Sequence, residues 1–170
     1  MVRDLELSIL EILFEDARTP VSQIAVMTGH SEEAVEAVIK SLEAQKIILK
    51  YPAMINWDKV ETTMVEALIE VRVTPQRDAG FDAIAEQIYR FEEVSSVYLM
   101  SGAYDLMVML KASSVKKLAL FVAEKLSTLD NVISTATHFV LKKYKIEGVI
   151  CEGKKGWPGP CRWRPQRHPC

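Results

Sequence analysis

The 170-residue chain has no apolar run near the roughly 20 residues that a membrane-crossing helix needs. It does not open as a secretory leader does. MVRDLELSILEILFED has an early base but carries acids throughout. Excess charge of one sign is also missing. The formal net charge is −2, so nothing global points to nucleic acid or to an anionic membrane. Cysteines number three, all at or after Cys151, and make no disulfide framework. Cys151, Cys161, His168 and Cys170 are loosely spaced, without a C-x-x-C pair, so no metal site is expected. There is no P-loop and no nucleophile–base pair, so neither a cofactor nor an enzymatic activity is expected. What remains is a 49% apolar chain, enough for a real core in one domain or two small ones. The expectation is a cytoplasmic protein.

The first fifty residues read as helices. Leu5, Ile9, Ile12 and Leu13 follow the spacing of one buried helix face. Thr19-Pro20 ends that helix, because proline disfavours helical geometry in the residue before it. VSQIAVMTG is a second short helix ending at Gly29. Ser31 caps a third, whose buried face is Val35, Val38, Ile39 and Leu42. IILKYPAMINW then supplies two β-prone pieces around Tyr51-Pro52, read as a hairpin. Three helices, a tight turn and a small hairpin describe a winged helix-turn-helix over residues 1–50, with wing and linker over 51–62.

From residue 63 the period becomes two. Val65, Ala67, Ile69, Val71 and Val73 alternate with Glu66, Leu68, Glu70 and Arg72. GFDAIAEQIYRF is a helix with Phe81, Ile84, Ile88 and Phe91 inward. SSVYLMSGAYDLMVML reads as a tight buried hairpin whose turn is Gly102-Ala103-Tyr104-Asp105. A carboxylate at that tip is well placed to grip the amino group of a small metabolite. SSVKKLALFVAEKLSTL is a helix capped by Ser113 or Ser114, with Leu118, Phe121, Val122 and Leu126 inward. ISTATHFVLKKY is the last strand. The order over 63–146 is β-α-β-β-α-β, a ferredoxin-like arrangement, and the fold class is α+β. Residues 147–170 are rich in Gly and Pro, with five bases over 152–170 against Glu152 alone, and read as a flexible basic tail.

Four stretches, in this order and spacing, resemble the Lrp/AsnC family of transcription regulators. They are DLELSILEILFEDARTPVSQIAVMTGHS, SLEAQKIILKYPAMIN, SGAYDLMVML and NVISTATHFVLKKYK. The resemblance covers roughly residues 4–145. It implies a DNA-binding regulator whose βαββαβ domain, of the RAM or ACT-like kind, dimerises and senses an amino acid or similar effector. It also implies a homodimer that assembles into an octamer. The effector would sit between sensing domains, held by Gly102, Tyr104, Asp105, Thr135 and Thr137. Gly102 would allow close backbone approach. Asp105 would pair with an α-ammonium, Tyr104 would wall the pocket, and the threonines would offer hydroxyls to a carboxylate. On the residues alone, Gly-x-x-Asp also makes an ordinary turn, with Tyr104 filling core.

The third helix should enter the major groove of double-stranded DNA, yet its outward residues are Glu32, Glu33, Glu36, Lys40 and Glu43. Residues 1–50 hold five bases against nine acids. DNA affinity comes largely from neutralising phosphates. The DNA-contacting candidates are therefore Lys40 on the helix, His30 and Ser31 before it, and Lys46 and Lys50 after it. The basic tail is a further source of phosphate contacts, or a tail without a role. Two alternatives stand beside the regulator: a sensing or scaffolding paralogue with weak or no DNA binding, and a subunit resembling the sirohaem decarboxylases. No Arg/His cluster suited to a tetrapyrrole appears in residues 60–145.

Overall fold

The computed structural model of the chain describes residues 4–60, 64–75 and 80–151. The chain divides into two units, Met1–Ile55 and Asn56–Cys170. Residues 152–170, which include the basic tail with Cys161, His168 and Cys170, lie outside the described residues.

The first unit is built from three helices: α1 (Asp4–Glu15), α2 (Val21–Thr28) and α3 (Glu32–Ala44). Their apolar stripes meet at Ile9, Ile24, Ala25, Val35 and Leu42, all buried. Leu5, Ile12, Leu13, Val38 and Ile39 close around them. The turn between α2 and α3 is set by Gly29. Its φ of +72° is left-handed backbone, and its N–H donates to Ala25 O at 2.9 Å. Ser31 then caps α3, its hydroxyl accepting from Ala34 N at 3.3 Å.

The hairpin expected around Tyr51-Pro52 does not form. Residues 45–56 contain no strand. Pro52 has no N–H to give to a ladder. Tyr51 instead sends its hydroxyl back to α3, donating to Glu43 Oε1 at 2.7 Å.

The second unit runs β1 (Val65–Val73), α4 (Asp82–Tyr89), β2 (Val94–Leu99), β3 (Leu106–Ala112), α5 (Val115–Phe121) and β4 (Val132–Phe139). A π-helical turn, Val122–Leu126, extends α5. The sheet order is β2-β3-β1-β4, and all three neighbouring pairs are antiparallel. This is the ferredoxin-like α+β fold. Period-two alternation puts Ala67, Ile69, Val71 and Val73 of β1 in the core with Leu106, Val108 and Leu110 of β3. Ile84 and Ile88 of α4, and Leu118, Phe121, Val122 and Leu126, cover that face. Ser114, of the two candidates, caps α5 by accepting from Lys117 N at 3.2 Å.

Three sequence expectations change here. The β2–β3 connection is six residues long, Met100–Asp105, and not a four-residue turn. Its closing bond runs from Met100 N to Asp105 O at 2.8 Å. β2 is an edge strand, and Tyr98 and Leu99 are exposed. β4 stops at Phe139, and the chain then forms a separate two-stranded hairpin, β5 (Lys145–Ile146) and β6 (Val149–Ile150). Residues 147–151, read as part of the flexible tail, therefore carry ordered structure. Glu147 and Gly148, with φ of +43° and +84°, form the mirror-image turn that two-residue hairpins favour.

Candidate functional site: an effector loop and a DNA-facing helix

The Met100–Asp105 loop is clamped to the end of β1 at three points. Asp105 N donates to Val71 O at 3.1 Å. Val73 N donates to Asp105 Oδ2 at 2.9 Å. Arg72 Nε donates to Ala103 O at 2.8 Å. The Asp105 carboxylate is thus half-buried, and one of its oxygens ends a strand whose next ladder partner is missing. Its rotamer is held by the backbone N–H of Val73. Tyr104 beside it is half-buried. Gly102 is exposed, and a Cβ built on it meets nothing within 4 Å. Its φ lies outside the left-handed region, so this subunit itself places no demand for glycine there.

The register locates the threonines. Val71 pairs with Leu106 on one side and Thr135 on the other. Ile69 pairs likewise with Val108 and Thr137. Directly paired residues share a face, so both threonines lie on the helix-covered face, at its β4 edge. Thr135 Oγ1 lies 3.1 Å from Ser127 Oγ, and Thr137 is exposed. The loop and Thr135 therefore share one end of the sheet but sit on either side of β1, about 10 Å apart by strand spacing. One subunit does not gather all five effector candidates around a common cavity. A cleft of about 510 Å³ lies at the opposite end of β3, bordered by Glu93, Lys111, Lys117 and Lys125.

Sequence reading missed Arg72. In an alternating strand an exposed arginine looks like part of a solvated face, and only the fold shows that it holds the loop. Ser127 was missed as well, because it follows a helix and lies far from β4 until the sheet forms.

On the first unit, the DNA-contacting candidates have existing engagements. His30 Nδ1 is 2.8 Å from Thr28 O, which ties the ring to the α2–α3 turn. Ser31 is spent on the α3 cap. Lys40 Nζ pairs with Glu36 Oε1 at 2.8 Å. That hydrogen bond, and the Glu36 and Glu43 charges, hold the ammonium above its ordinary value. Lys46 is exposed in left-handed backbone, φ +59°, directly after α3, and Lys50 is exposed further on. Withdrawal of the Tyr51 hydroxyl from water, and then its bond to Glu43, push the phenol up to about 12.

Among the described residues, no group of three or more His, Cys, Asp and Glu is arranged to hold a metal ion. Among them, too, no helix is long and apolar enough to cross a membrane.

A helix-turn-helix joined to a ferredoxin-like sheet with a clamped loop defines a class, a DNA-reading head on a ligand-binding domain. Residues 2–48 match the model of winged helix-turn-helix DNA-binding domains, and residues 66–150 match the Lrp/AsnC ligand binding domain. The chain is 53% identical over 148 residues to the HTH-type transcriptional regulator YugG of Bacillus subtilis, spanning 86% of this chain and 89% of YugG. It is 34% identical over 145 residues to the HTH-type transcriptional regulator LrpA of Pyrococcus horikoshii, spanning 85% of this chain and all of LrpA. Two solved structures share the fold. The transcriptional regulator NMB0573 of Neisseria meningitidis, in complex with L-Met, superposes with a TM-score of 0.67 at 23% identity, over 86% of this chain and 94% of its own. AsnC of E. coli superposes with a TM-score of 0.65 at 21% identity, over 86% of this chain and 96% of its own.

The chain belongs to the Lrp/AsnC family, and it is a DNA-binding transcription regulator of that type. These relatives are regulators, which favours neither the scaffolding paralogue nor the decarboxylase-like subunit.

Proposed function

We propose that this regulator responds to an amino acid held between sensing domains, and that it works in the cytoplasm as a homodimer able to build octamers. The single observation that carries the reading is the Asp105 carboxylate. It is pinned by Val73 N and Asp105's own backbone at the rim of the sheet, where it can meet an α-ammonium without reorganising. Gly102, open on its Cβ side, offers backbone for close approach. Tyr104 walls the loop. Thr135 and Thr137, two strands away, need a second subunit to face the same ligand. Effector binding thereby becomes a property of the assembly. The L-Met complex of the Neisseria protein is in keeping with this chemistry.

The sheet face away from the helices supports dimerisation. It carries Leu68, Met107 and Met109, half-buried in the single chain, beside the exposed Tyr98. His138 Nε2 and Glu70 Oε1, 3.2 Å apart, add a polar pair on that face.

The test is thermal stabilisation across the twenty amino acids. A ligand at a hundredfold over its Kd adds about 2.7 kcal/mol to the folded state. A response to none of the twenty overturns amino-acid sensing.

For the head, the proposed DNA contacts are Lys46 and Lys50 to phosphates, with His30 and Ser31 at the start of α3 and Lys40 along it. Each of Lys46→Ala and Lys50→Ala should weaken binding about equally for all sequences. Each should also flatten the salt dependence by about one unit of slope. Affinities measured between low and moderate salt check this, and an unchanged slope removes that lysine from the interface.

A further inference from the structure

The exposed polar residues of α3 are Glu32, Glu33, Glu36, Lys40, Ser41 and Glu43. A recognition helix reads base edges from such a face. Here three of them are engaged by groups outside that set or at the cap. Glu33 turns back to its own N–H and to the Ser31 hydroxyl, which holds its carboxyl below the usual carboxylate range. Glu43 accepts from Tyr51. Ser41 Oγ accepts from Gln45 Nε2 at 2.9 Å. Glu32 sits at the first position of the helix, beside the cap. That leaves Glu36 and Lys40, one turn apart, paired at 2.8 Å with side chains 55% and 69% exposed. An exposed pair of this kind contributes little to stability and opens readily when better partners arrive.

We propose that Glu36 and Lys40 are the base-reading pair of this regulator, and that they select half-sites containing cytosine and guanine. A carboxylate can only accept, so in the major groove it needs an amino group. Adenine offers its amino group beside the N7 acceptor, which repels a carboxylate, whereas cytosine N4 has no acceptor next to it on the same base. Glu36 therefore accepts from cytosine N4. Lys40 can only donate, and the paired acceptors O6 and N7 of guanine suit it. Residues four apart on a helix are separated by about 6 Å along the axis. Base pairs stack about 3.4 Å apart, so the two contacts fall one or two steps apart.

Glu36 also acts as a filter. Near phosphates its charge is repelled, and only a cytosine amino group in the right place offsets that repulsion. An acidic face then lowers affinity for DNA in general while sharpening the choice of site. In the free protein Lys40 neutralises Glu36 and softens the approach.

The experiment selects duplexes from a random pool with the full-length protein at low salt, then measures affinity for single base-pair variants of the selected duplex. The expected half-site has a C·G pair at one fixed position and a G·C pair one or two steps away. Changing that C·G to T·A should weaken wild-type binding by roughly 5- to 150-fold. Glu36→Ala should be indifferent to that change, within about two-fold, and should bind unrelated DNA more tightly. Lys40→Ala should lose the preference at the G·C pair. The same half-site and the same penalty in Glu36→Ala overturn this assignment alone, as does a wild-type site made only of A·T pairs. Failure of the wild-type protein to retain any duplex overturns both the assignment and DNA reading by this head.

Discussion

Asp105→Asn is expected to cut the thermal response to the effector to about half or less while leaving the unliganded melting point close to that of the wild type. Asparagine keeps an oxygen that can accept from Val73 N, so the β1 end stays closed. What it loses is the charge. A hydrogen bond to an ionised partner contributes about 1.5–3 kcal/mol, so affinity for an α-ammonium should fall roughly 10- to 150-fold. Asp105→Ala separates the two roles. It removes the acceptor too, leaves the partly buried Val73 N–H unpaired, and should cost about 1–3 kcal/mol of fold stability besides. Scanning calorimetry of both variants, with and without the amino acid that stabilises the wild type, reads the two effects independently. A normal response in Asp105→Asn would remove the carboxylate from the effector site.

Leu42→Ala is expected to unfold the DNA-reading head and leave the sensing unit standing. Leu42 is 1% exposed in a core whose buried members are Ile9, Ile24, Ala25, Val35 and Leu42. Truncating a buried leucine costs about 2–5 kcal/mol. A helical unit of some fifty residues has little more than that to lose. The melt should split, with an early helical transition and loss of DNA binding. A later transition should still shift with amino acid. A single transition carrying both losses would show that the two units unfold together.

Much of this architecture is written in the periodicities. The alternation of Val65 to Val73 gives β1 from end to end, because one face is buried and the other is not. Ile84 with Ile88, and Leu118 with Phe121 and Leu126, mark the inner faces of the two helices for the same reason. The places that misled are those where backbone is held by single hydrogen bonds. Ser101-Gly102-Ala103-Tyr104 suits a short turn as well as a longer loop. Only Met100 N meeting Asp105 O, and Arg72 meeting Ala103 O, decide for the longer one. The hairpin expected around Tyr51-Pro52 failed because β-prone composition alone does not make a ladder, and Pro52 has no N–H to give to one. The β5–β6 hairpin did have a signal, Glu147-Gly148 between Lys145-Ile146 and Val149-Ile150, but the basic, proline-rich residues after it outweighed that signal. Of the proposed effector residues, the sequence carried the loop and the strand. It could not carry their separation by β1, which is a matter of strand order.

The β5–β6 hairpin has one more consequence. Asn56 Nδ2 donates to Cys151 O at 2.7 Å, and Cys151 N donates to Tyr144 O at 2.9 Å. The first residue of the sensing unit is therefore laced to Cys151, the last one described, so the described part of that unit begins and ends at one point. A unit closed in this way is a portable cassette. Its ends can be joined and new ones opened elsewhere, or it can be spliced whole into a surface loop of another protein.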